Sequence, residues 1–295
     1  MRYLVAATCI LAGALPTYAQ PNSSSSLMAI PAEMPCPTFA TPVHEQPSAP
    51  NIRVAEITFS GALQLSSSEQ EQIAASIKDQ PNIAGTSVDD VVGLALELVR
   101  EGWQDRGYFA VQGEGEARTL TSNALGQRIA INVHVDEGPL YSWGEITFKN
   151  NKAFSDTSLL RRLFPMKHGD TFSRVDMVKG IENLKNAYGR LGYINFTPVP
   201  TPSVDDQNRT VSFDIDIDEG KQFRINDVVV LGLDEARRQE LLKAFSVGQI
   251  YDEGMVGEFL KQHSLDPKDP VVADRRLDER RGTVTIIVDG RDCPH

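Results

Sequence analysis

The chain has 295 residues, with 29 Lys and Arg against 40 Asp and Glu, which gives a formal net charge of −11. This acidic balance argues against a nucleic-acid-binding surface, because contacts to phosphates need clustered Lys and Arg. Hydrophobic residues make up 41% of the chain, which is enough to build folded cores. The three Cys are too few for a disulfide scaffold, and none of them lies in a Cys-x-x-Cys pair.

The N-terminus predicts export. Arg2 precedes an apolar stretch from Leu4 to Leu15, and the small residue Ala19 follows. A charged start, a short apolar core and a small final residue are typical of a secretory signal peptide, whereas a membrane anchor needs about 20 apolar residues. We therefore expect residues 1–19 to be removed, leaving Cys36 and Cys293 in an oxidising compartment.

Residues 20–51 are predicted to form a disordered linker. The segment contains four consecutive serines, which begin at Ser23, and seven prolines. Such a composition favours an extended, mobile chain because it continues neither a helix nor a central strand.

The rest of the chain repeats itself. Three short motifs recur in the same order at nearly constant spacing. The sequence Glu-Ile-Thr-Phe occurs at 56–59 and again at 145–148, and Asp-Glu-Gly occurs at 136–138 and again at 218–220. Between them, the segment from Trp103 to Tyr108 has the same pattern of aromatic residues and glycine as the segment from Tyr188 to Tyr193. A third and more divergent copy runs from Val228 to Gly290 and has no Gly-Tyr pair. Tandem repetition at this period indicates a series of similar structural units.

Each copy is predicted to read strand, helix, helix, strand, strand. In the second copy Ser173 and Asp176 form the pattern of a capping box at the start of a helix, and Ser87 and Asp90 do so in the first. The segment from Val211 to Asp218 alternates apolar residues with Ser and Asp, as a half-buried strand does. The pattern predicts an α+β fold: a two-layer unit with helices on one face of the sheet and solvent on the other.

A tandem β-α-α-β-β unit with these motifs resembles the POTRA domain, which forms the periplasmic part of BamA-type outer-membrane protein assembly factors and of two-partner secretion transporters. The resemblance is most specific in the second copy. It implies POTRA-like domains at residues 52–139, 140–220 and 221–290, with a short tail at 291–295. Because only five residues follow Gly290, we expect an array that lacks the C-terminal membrane β-barrel.

The resemblance implies a non-enzymatic module that lies in the periplasm of a Gram-negative envelope, either free or associated with the outer membrane. Its expected partners are an outer-membrane β-barrel protein or nascent envelope proteins, bound through sheet edges. The alternative is a structural spacer or adaptor that binds no client.

The resemblance also implies that clients add a strand to the edge formed by the second strand of a domain. In the second copy this segment contains three prolines, which remove backbone donors and protect an edge against pairing. The second strand of the second copy is predicted to run from Tyr193 to Val199. The corresponding segment of the first copy contains no proline. The predicted client-binding edge consists of Tyr108, Phe109, Ala110, Val111 and Gln112, and the predicted protected edge of Pro198, Pro200 and Pro202.

No catalytic, cofactor-binding or metal-binding residues are predicted, and no cofactor is expected. The five His are scattered without a ligand spacing, and Gly113-Glu-Gly115 lacks the third glycine of a dinucleotide-binding loop. The alternating carboxylates Asp214, Asp216 and Asp218 are interpreted as the solvated face of a strand, with a calcium site as the less favoured alternative. The segment from Asp274 to Arg281 is predicted to be a charged hairpin loop of the third copy, with a docking surface for a partner as the less favoured alternative.

Overall fold

The computed structural model describes residues 52–78, 87–123, 126–262 and 272–291. The predicted signal peptide, the predicted linker, Cys36 and Cys293 lie outside these residues.

Three consecutive β-α-α-β-β units follow one another along the chain, and we call them domains 1, 2 and 3. Domain 1 consists of β1 (Ile52–Ser60), α1 (Ser67–Ile77), α2 (Val88–Gln104), β2 (Gln112–Asn123) and β3 (Gly126–Asp136). Domain 2 consists of β4 (Ser142–Lys149), α3 (Thr157–Arg161), α4 (Arg174–Arg190), β5 (Thr197–Asp205) and β6 (Thr210–Asp218). Domain 3 consists of β7 (Arg224–Leu231), α5 (Glu235–Ala244), α6 (Met255–Gln262), β8 (Val272–Asp278) and β9 (Thr283–Asp289). The predicted α+β class and order of elements are therefore confirmed.

Each domain has a three-stranded sheet with the last strand in the centre. The strand orders are β1-β3-β2, β4-β6-β5 and β7-β9-β8. The central strand pairs in parallel with the first strand of its domain and antiparallel with the second. The first and second strands consequently lie at the edges of every sheet.

The hydrophobic pattern decides which face of each sheet the helices cover. Every second residue of β6 is buried, from Val211 to Ile217, and the residues between them are half-buried or exposed. The two long helices begin at the predicted serines, since Ser87 accepts a hydrogen bond from the backbone of Asp90 and Ser173 from that of Asp176. These bonds satisfy backbone donors that a helix start otherwise leaves without partners.

The second strands begin later than predicted. The structure begins β2 at Gln112 and β5 at Thr197, so the prediction that strands start at the two Gly-Tyr pairs is wrong. Gly107 and Gly192 adopt φ of 98° and 83°, a conformation that favours glycine. The N–H groups of Tyr108 and Tyr193 donate back to carbonyl groups of the preceding helices. The residues predicted to begin the second strand therefore form a tight turn at the end of each helix.

The segment after Val272 also differs from its prediction. Residues 272–278 form β8, the edge strand of the third sheet, and the turn that joins it to β9 lies only at residues 279–282. Charged residues along an exposed edge strand are a common protection against unwanted pairing, which is why composition alone suggested a loop.

The Asp-Glu-Gly motif closes domain 1 through the buried Glu137, whose residue surface is 4% exposed. Its carboxylate accepts hydrogen bonds from the backbone N–H of Gln64 (2.6 Å) and Leu65 (3.2 Å), and from Nε1 of Trp103 (2.9 Å). In domain 2 the equivalent Glu219 accepts from the N–H of Ala153 and from the hydroxyl of Tyr188. The motif thus ties the end of the central strand to a loop and to the second helix.

Candidate functional site

The residues predicted to bind clients do not share one edge. Tyr108 and Val111 are buried in the core of domain 1, and Phe109 packs against the core of domain 2. Ala110 is exposed but precedes the strand, and only Gln112 belongs to β2. The prediction that these five residues form an edge strand is therefore wrong, because the turn at Gly107 directs their apolar side chains into two cores.

The exposed edge of domain 1 is β2 itself. The strand runs for 12 residues, ten of them exposed, and contains no proline. It pairs with β3 on one side only, and no other described strand adds to its outer side. This edge is long and accessible.

The structure places β5, with Pro198, Pro200 and Pro202, at an edge of the second sheet. Each proline lies opposite a buried residue of β6, so all three occupy positions that face the helices. In a strand, residues two apart direct their backbone groups to the same side. Because prolines have no N–H group, the backbone hydrogen bonds from β5 to β6 are donated by the residues between them, Val199 and Thr201. The outer side of β5 therefore has no N–H donor at these three positions.

The pairing registers show which residues of domain 1 occupy the proline positions. Gln112 lies opposite Asp136 as Thr197 lies opposite Asp218, at corresponding residues of the repeated Asp-Glu-Gly motif. The residues that correspond to Pro198, Pro200 and Pro202 are Gly113, Gly115 and Ala117. All three residues retain their backbone N–H groups. Because β2 pairs with β3 in the same register and direction as β5 pairs with β6, these N–H groups point away from the sheet, as the proline nitrogens do in domain 2. Domain 1 therefore presents donors where domain 2 has none.

Domain 3 lies between these two cases. Arg275 of β8 corresponds to Pro202, since each lies three residues before the final Asp of its strand. Its backbone N–H donates to the carboxylate of Asp274 (2.7 Å). One of the outward donors of this edge is thus already occupied within the strand.

A groove runs between α2 and the first residues of β2. Its volume is about 150 Å³. The walls are formed by Gly93, Leu96 and Val99 of α2 and by Val111 and Gly113 beside the strand. At its rim Glu97 and Arg100 form an ion pair with each other (2.7 Å). The groove follows the edge that carries the free donors.

The turns at Gly107 and Gly192 connect each domain to the next. The carbonyl of Gly107 accepts a hydrogen bond from the N–H of Tyr141 (2.9 Å), and that of Gly192 from the N–H of Phe223 (2.8 Å). The Phe109 ring lies 5.0 Å from that of Phe172 in edge-to-face geometry. The sequence does contain a signal for this contact, since an apolar residue, Phe109 or Ile194, follows each Gly-Tyr pair. The sequence pattern assigned these residues to a strand instead of to a contact between domains.

The two junctions carry opposite charges at the same helix position. Asp105 at the end of α2 accepts from the backbone of Val175 in domain 2; burial raises the pKa of its carboxyl and Arg174 opposes that rise. The corresponding residue at the end of α4 is Arg190, which forms an ion pair with Glu258 of domain 3. Exposed ion pairs contribute little stability, so the Arg190–Glu258 pair adds little to the stability of its junction, although the two junctions differ in charge at this position.

The alternating carboxylates of β6 have protein partners. Asp214 accepts from Lys149 and Thr147, and the bond from Lys149 holds the pKa of this carboxyl below its usual range. Asp216 accepts from Asn150 (2.7 Å). Among the described residues no cluster of His, Cys, Asp and Glu could hold a metal ion.

The comparisons with known proteins agree with this geometry. Residues 141–220, which contain domain 2, match the family model described as POTRA, surface antigen variable number repeat. Residues 141–220 are thus similar to the POTRA family. Three consecutive POTRA domains, in the crystal structure of Haemophilus influenzae BamA POTRA3-5, superpose with a TM-score of 0.56 at 19% identity, covering 82% of this chain and 96% of that one. The fold of the described residues is thus that of a tandem POTRA array.

Two curated relatives are assembly factors. The outer membrane protein assembly factor BamA of Neisseria meningitidis serogroup B is 27% identical over 154 residues, which cover 50% of this chain and 19% of that protein. A putative outer membrane protein assembly factor of Treponema pallidum is 22% identical over 240 residues, covering 80% of this chain and 29% of that protein. The chain spans less than a third of the length of either relative. In the part of the chain that the structure describes, no helix has the length and apolar character needed to cross a bilayer.

Proposed function

We propose that this chain is a periplasmic polypeptide-binding module of the outer-membrane protein assembly or secretion type, and that domain 1 captures extended client or partner strands at the outer edge of β2. The similarity to assembly factors supports the class of function. The free donors of Gly113, Gly115 and Ala117 support the place, because an added strand needs both donors and acceptors on the edge it joins.

The contrast between the domains supports this proposal more than any single residue does. Pro198, Pro200 and Pro202 leave domain 2 with acceptors but no donors at the positions where domain 1 has both. A strand that approached β5 would have to bury its own carbonyl groups without partners, which costs free energy at each position. The array is thus expected to accept strands at its first domain and to refuse them at its second.

A structural spacer that binds no client is the second candidate. The observation in its favour is the pair of charge-matched junctions, since a spacer needs a defined order of domains. A spacer function does not explain why the edge strand of domain 1 has outward N–H donors while that of domain 2 lacks them. Strand capture by domain 1 alone explains this difference.

Replacing Ala117 with proline tests strand capture. The equivalent position in domain 2 holds Pro202, so the substitution is compatible with the fold. It removes one outward donor and leaves an acceptor of the bound strand without a partner. We expect strand peptides to bind about tenfold more weakly or worse, as measured by calorimetry on the full chain.

The control for this experiment is Ala117→Thr, which keeps the N–H and should leave the affinity within about twofold. In a complementary variant, replacement of the three prolines of β5 with Thr should create binding in domain 2. Peptide cross-links at Thr197–Thr201 of the unmodified chain would contradict the proposal.

A further inference from the structure

Four apolar side chains line one surface where the helices of domains 1 and 2 meet. Leu94 and Leu98 lie one turn apart on α2, and Val175 and Val178 lie one turn apart at the start of α4. Leu94, Val175 and Val178 are 43%, 52% and 37% exposed, and Leu98 is half-buried. We call these four residues the junction stripe.

Two contacts hold the two halves of the junction stripe together. Arg174 donates to the carboxylate of Glu101 (2.5 Å), which lies three residues after Leu98 on α2. One turn later, the carboxylate of Asp105 accepts from the backbone N–H of Val175. Because residues three and four apart share one face of a helix, the leucines lie on the face of α2 that leads to α4. The junction stripe is therefore a continuous surface with an ion pair at its centre.

The second junction shows that the fold itself does not require this stripe. Tyr188 at the end of α4 corresponds to Trp103 at the end of α2. Tyr251 before α6 likewise corresponds to Phe172 before α4. Counted from these aromatic residues, all four stripe positions of the second junction hold polar residues or glycine. In the order of the stripe they are Lys179, Asn183, Gly254 and Gly257. The exposed apolar residues of the first junction therefore have a role other than joining two domains.

The charges along the junction stripe make it complementary to itself. The exposed Asp90 lies one turn before the leucines, Glu101 and Arg174 form the centre, and the exposed Lys179 follows the valines. The surface thus changes from acidic to basic along its length. A second copy that lies antiparallel across it matches acidic groups with basic groups and apolar residues with apolar residues. An interface of this kind is isologous and closes after two copies.

We propose that two copies of this chain associate through their junction stripes, antiparallel and related by a two-fold axis through the central ion pairs. The leucines of each copy pack against the valines of the other, and Glu101 of each copy lies beside Arg174 of the other. Burial of the apolar side chains drives the association, and the charges fix its orientation. Two helical turns on each side form a smaller surface than a permanent dimer buries, so the association is reversible. This inference does not depend on strand capture by β2.

Sedimentation velocity over a range of concentrations tests the dimer. The sedimentation coefficient of the full chain should rise from that of a monomer towards that of a dimer below about 100 µM. A chain that stays monomeric throughout this range would overturn the proposal. If that monomer instead binds a synthetic amphipathic helix through the junction stripe, the surface has a foreign occupant and the dimer is wrong.

Val175→Glu assigns the association to the junction stripe. The variant should weaken association about tenfold or more, because it places a carboxylate against the leucines of the other copy. Glutamate is favourable in the first turn of a helix, so α4 should keep its fold. The matched control is Val247→Glu, since Val247 is a more exposed valine that lies in domain 3. The control should leave the dissociation constant within about twofold. If both variants weaken association equally, the stripe is not the interface.

Cysteine cross-linking tests the antiparallel arrangement. In a background in which serine replaces the native cysteines, a Leu94→Cys chain mixed with a Val178→Cys chain should form a disulfide-linked dimer. Either chain alone should stay unlinked, because a disulfide needs Cα atoms within about 7 Å and the antiparallel arrangement places the same position of the two copies at opposite ends of the stripe. Efficient linking of Leu94→Cys chains with each other would contradict the proposed interface.

Discussion

Replacing Glu137 with alanine is expected to destabilise domain 1 by about 3–5 kcal/mol, which is a large part of the stability of a small domain. The carboxylate accepts three hydrogen bonds, two of them from the backbone of the loop after β1 and one from Trp103. Bonds to a charged group are stronger than those between neutral groups, and the variant leaves three donors in a buried place without partners.

Hydrogen exchange followed by mass spectrometry measures this loss in the full chain. Amides of β3 in the Glu137→Ala variant should exchange at least about a hundredfold faster than in the unmodified protein. Asp136→Ala provides the control, since Asp136 is exposed and accepts a single bond from Gly138 (3.2 Å). If the two variants exchange alike, the buried carboxylate does not hold the domain together as proposed.

The fold was predictable because its signals are local and occur twice. The alternation of β6 shows directly which face is buried, and the serine caps mark where α2 and α4 begin. The recurrence of the motifs at a constant spacing then revealed the repeat without any knowledge of contacts. Signals of this kind depend on the period of a strand or helix, which the sequence carries by itself.

The candidate site was only partly predictable, because its residues are defined by contacts between elements. The prolines of β5 reveal an edge strand from sequence alone, since a central strand excludes them. The donor positions of domain 1 can be recognised only from the strand registers, which align Gly113, Gly115 and Ala117 with those prolines. Phe109 was misassigned because a pattern of apolar residues does not tell which of two cores a side chain enters.

Replacing Phe109 with alanine is expected to loosen the junction between domains 1 and 2 by about 1.5–3 kcal/mol. The ring belongs to the turn after α2 but packs against the core of domain 2, close to Phe172 and Tyr141. The variant removes this apolar contact, while the backbone bond from Tyr141 to Gly107 remains possible.

The amide of Tyr141 reports on this junction, because its hydrogen bond crosses from one domain to the other. In Phe109→Ala its exchange should accelerate about tenfold or more, while the amide of Phe223 at the second junction should not change. Ile194→Ala is the matched variant, since Ile194 packs against the core of domain 3, and it should show the opposite pattern. If Phe109→Ala leaves the exchange of Tyr141 unchanged, backbone bonds and ion pairs alone hold the domains together, and the apolar residue after Gly-Tyr has no role in joining them.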